Sequence, residues 1–329
     1  MEGAQSVQPL EELVFEQSGV HNLKEIQPIF SVREHTNSVD TLAVNPSKKS
    51  EFITGSHDKT MKLWDLNKPQ KSLLTLTGHT QGVWCVNYHP GGAQVVSASP
   101  EGVAKLWDVK AGKSTANLAV HTKRVYWATY NQAGTHVATC GSDRLLAYWD
   151  LRKTTAPVSV NNQSESVILS CDFFNDGQYI ILTTLEGDAS IVSLQDNMNI
   201  IKHETIETNQ RSNIAYCSHV VRQEEGVFLI GSENKLVTKY KFDQKDLQLE
   251  KQGFFKGHSN SVRHVSVSPS ATHLLSTCED HSLRLWDYHS YEPKVIFSGH
   301  HDNVTGGAFV DENTAVSCSW DLTIKIWKF

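Results

Sequence analysis

Five tryptophans in this 329-residue chain share one setting, and their spacing limits the fold more than any other feature. They stand in KLWD (Trp64), KLWD (Trp107), AYWD (Trp149), RLWD (Trp286) and KIWK (Trp327), each preceded by a histidine: His35, His79, His121, His258 and His300. The separations from histidine to tryptophan are 29, 28, 28, 28 and 27 residues. Successive histidines are 44, 42, 137 and 42 residues apart. The long gap holds three periods of about 46, so two further copies are hidden inside it. Seven units of this length match the period of four-stranded propeller blades.

The local signals agree. Residues 79–109 contain VWCVNYHP, AQVVSAS and VAKLWDV, which are alternating or β-branched runs. Pro90–Gly91–Gly92 and Pro100–Glu101–Gly102 separate them with turn chemistry. Helical periodicity is absent, so an all-β chain is expected. Of the two hidden units, residues 170–194 place Ser193 where tryptophan is expected, and residues 216–242 place Tyr240 there with Asn234 as the turn residue.

Charge and cysteine usage narrow the function. The net charge of −6 argues against a protein that works by neutralising phosphates. Glu2, Glu11, Glu12, Glu16 and Glu25 face only Lys24 in the first thirty residues, so most of that charge is an acidic N-terminal segment, 1–25. No apolar run approaches the ~20 residues that span a bilayer, and the N-terminus lacks a secretory pattern. Cys85, Cys140, Cys171, Cys217, Cys278 and Cys318 are scattered without a Cys-x-x-Cys pair. Reduced, buried thiols in the cytoplasm are expected, with the nucleus also open.

The Gly-His pairs (Gly78–His79, Gly257–His258, Gly299–His300) and the Trp-Asp pairs at this period resemble the WD-repeat propeller family. The resemblance covers residues 28–329. It implies a seven-bladed β-propeller of four-stranded antiparallel blades over 26–329, closed by an N-terminal strand. The chain stops after TIKIWKF, so IQPIFSVRE (26–34) is expected to supply the outer strand of the seventh blade.

Recurring His, Ser and Asp invite a catalytic-triad reading: His35, Ser56 and Asp58 with Trp64, and His300, Ser319 and Asp321 with Trp327. A triad occurs once per active site, whereas this set repeats around the ring. The family resemblance implies a buried hydrogen-bonded network instead. Its copies look incomplete, with Glu101 for aspartate in blade two, Gly141 for serine in blade three and Cys278 in blade six. His300–His301–Asp302 is the densest remaining cluster, and no zinc-like ligand spacing occurs. No phosphate loop, GxSxG turn or HExxH helix is present. Neither an enzyme, a cofactor, a metal nor a small-molecule substrate is expected.

The resemblance further implies that partners bind the narrow face, through two positions per blade. The residue after the valine that follows the histidine gives Asp40, Trp84, Tyr126, Arg263 and Thr305. The residue before the turn aspartate gives His57, Pro100, Ser142, Glu279 and Trp320. Trp320, His57, Trp84 and Tyr126 then form an arc across blades seven, one, two and three, with Arg263 on the far side. Trp149–Asp150–Leu151–Arg152 also resembles the WD-x-R box of substrate receptors in cullin-RING ubiquitin ligases, where Asp150 and Arg152 would touch the adaptor; blade two reads WDVK at the same place. The expectation is a scaffold that binds peptide segments or folded domains of other proteins, with no nucleic acid and no membrane insertion. The ligase receptor is the alternative.

Overall fold

The computed structural model describes residues 23–195, 198–205 and 214–329. The acidic segment expected at 1–25 lies outside these residues, apart from its last three positions. Seven sheets form, each a meander of short strands. Blade one comprises Val39–Val44, Glu51–Ser56, Met61–Asp65 and Leu74–Leu76, from inner to outer strand. The next blades follow at 85–118, 125–161, 168–205, 215–256 and 262–297. The seventh takes Val304–Phe309, Thr314–Ser319 and Ile324–Lys328 from the C-terminal end, and Phe30–Val32 as its outer strand.

No blade buries both of its faces alone, and the core is accordingly divided among the seven blade-to-blade interfaces. Each apolar cluster joins two neighbours; Trp107 of blade two, for example, packs with Ile53, Met61 and Leu63 of blade one. Trp64 likewise packs against blade seven, and Trp327 against blade six. Closing the ring lets each sheet face cover its neighbour, so length adds blades rather than enlarging one core.

Within a blade, one buried hydroxyl joins histidine to tryptophan. In blade one His35 Nδ1 is 2.7 Å from Asp58, its Nε2 is 2.8 Å from Thr54 Oγ1, and Trp64 Nε1 donates to the same oxygen at 2.9 Å. Ser97, Thr139, Ser276 and Ser317 do the same for His79–Trp107, His121–Trp149, His258–Trp286 and His300–Trp327. The linking hydroxyl is therefore two residues earlier than the expected Ser56 and Ser319. Both positions face the same side of a strand, because side chains alternate with period two. Ser56 instead accepts from the Asp58 backbone N–H and donates to the Ser38 carbonyl. Cys278 Sγ takes that outer role in blade six and Gly141 has no side chain to take it in blade three, while both blades keep the His–hydroxyl–Trp link. Glu101 also reaches His79, at 2.7 Å. Burial works to raise the Asp58, Asp280 and Asp321 carboxyls, but hydrogen bonds from their histidines prevail and hold them below the ordinary range.

The two degenerate blades replace this link with apolar packing. Phe52 pairs with Trp64 across blade one, and the equivalent pairs are Ile180–Val192 and Phe228–Tyr240. Val192, not Ser193, thus stands in the tryptophan position; Ser193 is one step further along the strand. Tyr240 is where it was expected, stacked on Phe228 at 5.8 Å. Leu182 and Ile230 take the place of the hydroxyl and pair with Ser190 and Thr238.

The expected closure is present. Phe30, Ser31 and Val32 pair antiparallel with Ile326, Lys325 and Ile324, and Lys325 Nζ reaches Ser31 Oγ at 2.9 Å. One addition was not foreseen. Lys24–Ile26 lies parallel along Pro293–Phe297 as a fifth strand on the outer edge of blade six. It crosses the expected boundary between segment and propeller at 25/26. Residues 24–32 consequently fasten blade six to blade seven from outside, covering two strand edges that would otherwise be open to pairing.

Deleting residues 1–34 removes both strands, and loss of soluble monomer is expected by size-exclusion chromatography. Deleting 1–27 keeps Phe30–Val32 and should leave a monomer with a lower melting temperature. Ser317→Ala leaves two buried groups, His300 Nε2 and Trp327 Nε1, without their shared partner; urea unfolding should show a loss of about 2–3 kcal/mol.

A candidate docking mouth at one end of the channel

The inner strands line a central channel, and their first residues surround one mouth. A register shift in six blades leaves one residue without a cross-strand partner: Asp40, Tyr126, Leu169, Tyr216, Arg263 and Thr305. A bulge turns its extra residue away from the sheet. In blade two Trp84 immediately precedes the inner strand Cys85–Tyr88. These seven side chains, with His57, Leu185 and Trp320 from the turns after the second strands, line a cavity of about 360 Å³. All five expected inner-strand residues are in this lining, as are His57 and Trp320. Pro100 and Ser142 lie off the cavity, and Glu279 acts through Arg263.

The expected arc is a bonded chain across four blades. Trp320 Nε1 of blade seven donates to Asp40 Oδ1 at 3.0 Å. His57 Nδ1 donates to Asp40 Oδ2 at 2.5 Å, and its Nε2 accepts from Trp84 Nε1 at 3.2 Å. The Trp84 ring stacks on Tyr126 of blade three, with centroids 5.1 Å apart and planes 19° from parallel. Gly82 leaves room for this approach, since a Cβ there would sit 3.0 Å from the His57 Cα. The Trp84 bond requires His57 to carry its hydrogen on Nδ1 and keep Nε2 bare. Burial pushes the Asp40 carboxyl up, against bonds from His57 and Trp320 that pull it down, and it ends above its ordinary value.

Arg263 sits beside the arc rather than across from it. Its guanidinium lies 4.0 Å from the Tyr216 ring centroid and 6.0 Å from that of Trp320, and its Nε donates to Glu279 at 2.6 Å. Blade six adjoins blade seven in the ring, which brings these groups together. Sequence reasoning missed Leu169, Leu185 and Tyr216, because the degenerate blades carry no histidine to set the register. Pairing Ile168 with Thr184 and Ala215 with Ser232, as Val39 pairs with Ser56, would have identified Leu169 and Tyr216.

Below the mouth the channel continues as a second space of about 530 Å³ with a different character. Burial pushes Asp172 up to about 6 against the pull of Arg222, and pushes His264 down to about 4 and His219 to about 3. These groups belong to the walls of that second space. Among the described residues His258, Cys278 and Asp280 come close enough to hold a metal ion, but His258 is committed at both nitrogens to Asp280 and Ser276. All six cysteines are free and buried. No helix among the described residues is long and apolar enough to cross a membrane.

Asp150 and Arg152 lie where the third strand of blade three ends, at the opposite end of the ring from the mouth. Arg152 is folded back on Asp150, with Nε to Oδ1 at 3.0 Å and Nη2 to Oδ2 at 2.6 Å, while its side chain stays 86% exposed.

The mouth should respond to pH through His57. The bond to Asp40 raises its pKa above 6.5, against the effect of burial. Acidification then adds a proton at Nε2, which points two donors at each other and breaks the Trp84 bond. The Trp84 indole N–H resonance should shift with a midpoint above 6.5, while the buried Trp64 indole does not follow it. An unchanged Trp84 signal from pH 8 to pH 5 would refute this coupling.

Comparison with known proteins gives a consistent answer. The family model described as WD domain, G-beta repeat matches residues 26–65, 70–108, 112–150, 249–287 and 291–328. A ribosome biogenesis protein WDR12 homolog from Caenorhabditis briggsae is 30% identical over 182 residues, which are 45% of this chain and 39% of that protein. Denticleless protein homolog A from Xenopus laevis is 26% identical over 311 residues, 89% of this chain and 41% of the relative. A guanine nucleotide-binding protein subunit beta from Oryza sativa subsp. japonica is 33% identical over 78 residues, 24% of this chain and 20% of that protein. The chain spans about two fifths of the length of the first two relatives. The five matched units are those that carry the recurring tryptophans and together exceed half the sequence, and the chain belongs to the WD domain, G-beta repeat family.

Proposed function

We propose that this protein is a non-catalytic scaffold that holds a partner protein at the aromatic mouth, as one subunit of a larger intracellular assembly. The observation that carries the reading is the chain Trp320–Asp40–His57–Trp84–Tyr126. It fixes three large aromatic side chains, Trp320, Trp84 and Tyr126, around one cavity through Asp40 and His57 of blade one. Pre-positioned tryptophan and tyrosine supply contact area with little rotamer entropy left to lose, which is why such residues anchor interfaces. The polar groups nearby are bonded to one another and serve to orient the rings. Six buried free thiols fit a reducing compartment, the cytoplasm or nucleus.

A second reading is a substrate receptor of a cullin-RING ligase, with the adaptor at Asp150 and Arg152. It is favoured by one feature: an exposed arginine held in fixed geometry at the end of the ring away from the mouth. A receptor needs two such separate surfaces.

One co-precipitation series tests both. Trp84→Ala with Tyr126→Ala should weaken the principal partner by about 2 kcal/mol or more, roughly thirtyfold in affinity, while the melting curve keeps its cooperative form. Arg152→Glu should leave that partner in place. Loss of a ligase adaptor from the Arg152→Glu precipitate would favour the receptor reading. Retained binding in the Trp84/Tyr126 variant would move the site away from the mouth.

A further inference from the structure

The rim around the Trp84–Tyr126 pair exposes its cations and covers its carboxylates. On the mouth side of blades one to three, every carboxylate among the described residues is already engaged. Asp40 is held by His57 and Trp320, Asp58 by His35, Glu101 by His79, and Asp143 by His121. The cations of the same loops are not engaged in this way. Lys59, Lys123, Arg124 and Arg144 are all exposed, and none makes an ion pair among the described residues. Arg124 is close to the stacked rings, its guanidinium 5.8 Å from the Trp84 ring centroid, and its carbonyl accepts from the Ser142 backbone, two residues before Arg144. Lys59 is two residues beyond His57.

Two aromatic faces at the mouth already carry the protein's own arginines. Arg263 lies over Tyr216, and Arg124 over Trp84. On the rim of blades one to three, a partner's lysine or arginine would meet like charge and find every carboxylate engaged.

Building on the docking reading above, we infer that the mouth recognises an acidic protein segment, with an uncharged apolar or aromatic side chain in the cavity and flanking carboxylates on the rim of blades one to three. The apolar part of the lining, formed by Trp84, Tyr126, Leu169 and Leu185, receives the anchor. The four cations steer and hold the flanking charge, a contribution that salt weakens. Across the mouth, Glu165 and Glu186 of blade four are exposed. They would repel a chain that is negative along its whole length, which favours a locally acidic peptide over a nucleic-acid backbone.

The test is a selection of random linear peptides on the full-length protein, followed by binding of the enriched peptides to variants. Enriched sequences should carry an apolar or aromatic residue flanked by Asp or Glu. Lys123→Glu with Arg124→Glu, both exposed and remote from the core, should weaken them at least about tenfold at low salt and much less at high salt. Trp84→Ala should weaken binding at least about tenfold at either salt concentration, with a melting curve to confirm the fold. Peptides that depend on Trp84 but are neutral or basic would overturn the acidic assignment and leave the mouth as a docking site. Binding unaffected by Trp84→Ala, or no enrichment, would overturn both. Displacement of the peptides by single-stranded poly(U) in preference to poly-glutamate would overturn the inference in favour of a nucleic-acid partner.

Discussion

The hydroxyl between histidine and tryptophan is the interaction on which the mouth depends. In five blades it joins the loop entering the blade, the second strand and the third strand at one buried oxygen. The histidine's other nitrogen then fixes the carboxylate of the next turn. Once Asp58 and Asp321 are fixed, the residues immediately before them have little freedom, and these are His57 and Trp320. Arg263 is held in the same indirect way, since Glu279 precedes the fixed Asp280. A net contribution near 1 kcal/mol per hydrogen bond understates the role of such a network, because the partners left unsatisfied by its loss are buried.

Blades four and five show that the network is not required for the fold. Leu182 with Val192, and Ile230 with Tyr240, fill the same space with apolar side chains, and the strand register is unchanged. Replacing a satisfied polar group by an apolar one of suitable shape costs little, provided that all its partners change together. What these blades lack is the histidine link between the turn and the third strand; blade five still ties its turn through Asn234, which accepts from Ser232 Oγ and the Leu236 backbone. The mouth on their side is lined by Leu169 and Leu185, with no chain of bonds comparable to Trp320–Asp40–His57–Trp84. The polar network therefore serves placement at the mouth more than it serves the architecture.

The architecture was readable because it repeats. One histidine-to-tryptophan spacing, copied five times, fixed the blade count and the register of five blades, and the position of IQPIFSVRE fixed the closing strand. The linking hydroxyl was misplaced because Thr54 and Ser56 share a face of the strand and both can hydrogen bond; only distances distinguish them. Val192 was misread as Ser193 because a blade without histidine offers no internal marker, and an error of one residue reverses the face. Lys24–Ile26 left no signal, since three residues with no alternation cannot announce a strand. Its pairing is decided by the open edge of Pro293–Phe297. At the mouth, the repeat positions named Asp40, Trp84 and Tyr126 along one arc and put Arg263 on the far side; all four line one cavity, with Arg263 beside Trp320. The bonds among them depend on side-chain directions set by the bulges, which no spacing encodes.

The two ends of the channel differ in a way that bears on recognition. The deeper space is walled by ionisable groups whose charged forms burial disfavours, among them His219, His264 and Asp172. A ligand entering there would have to match polar groups whose charged forms burial already disfavours. At the mouth Trp320, Asp40, His57 and Trp84 are bonded in a chain, so a partner can cover the two indoles without leaving their N–H groups unmatched. Desolvation at such a surface costs little, and the apolar area gained is nearly all favourable. The chain of bonds through Asp40 and His57 is what makes this possible. It ties down the indole N–H groups of both Trp84 and Trp320, which would otherwise have to find acceptors on the partner.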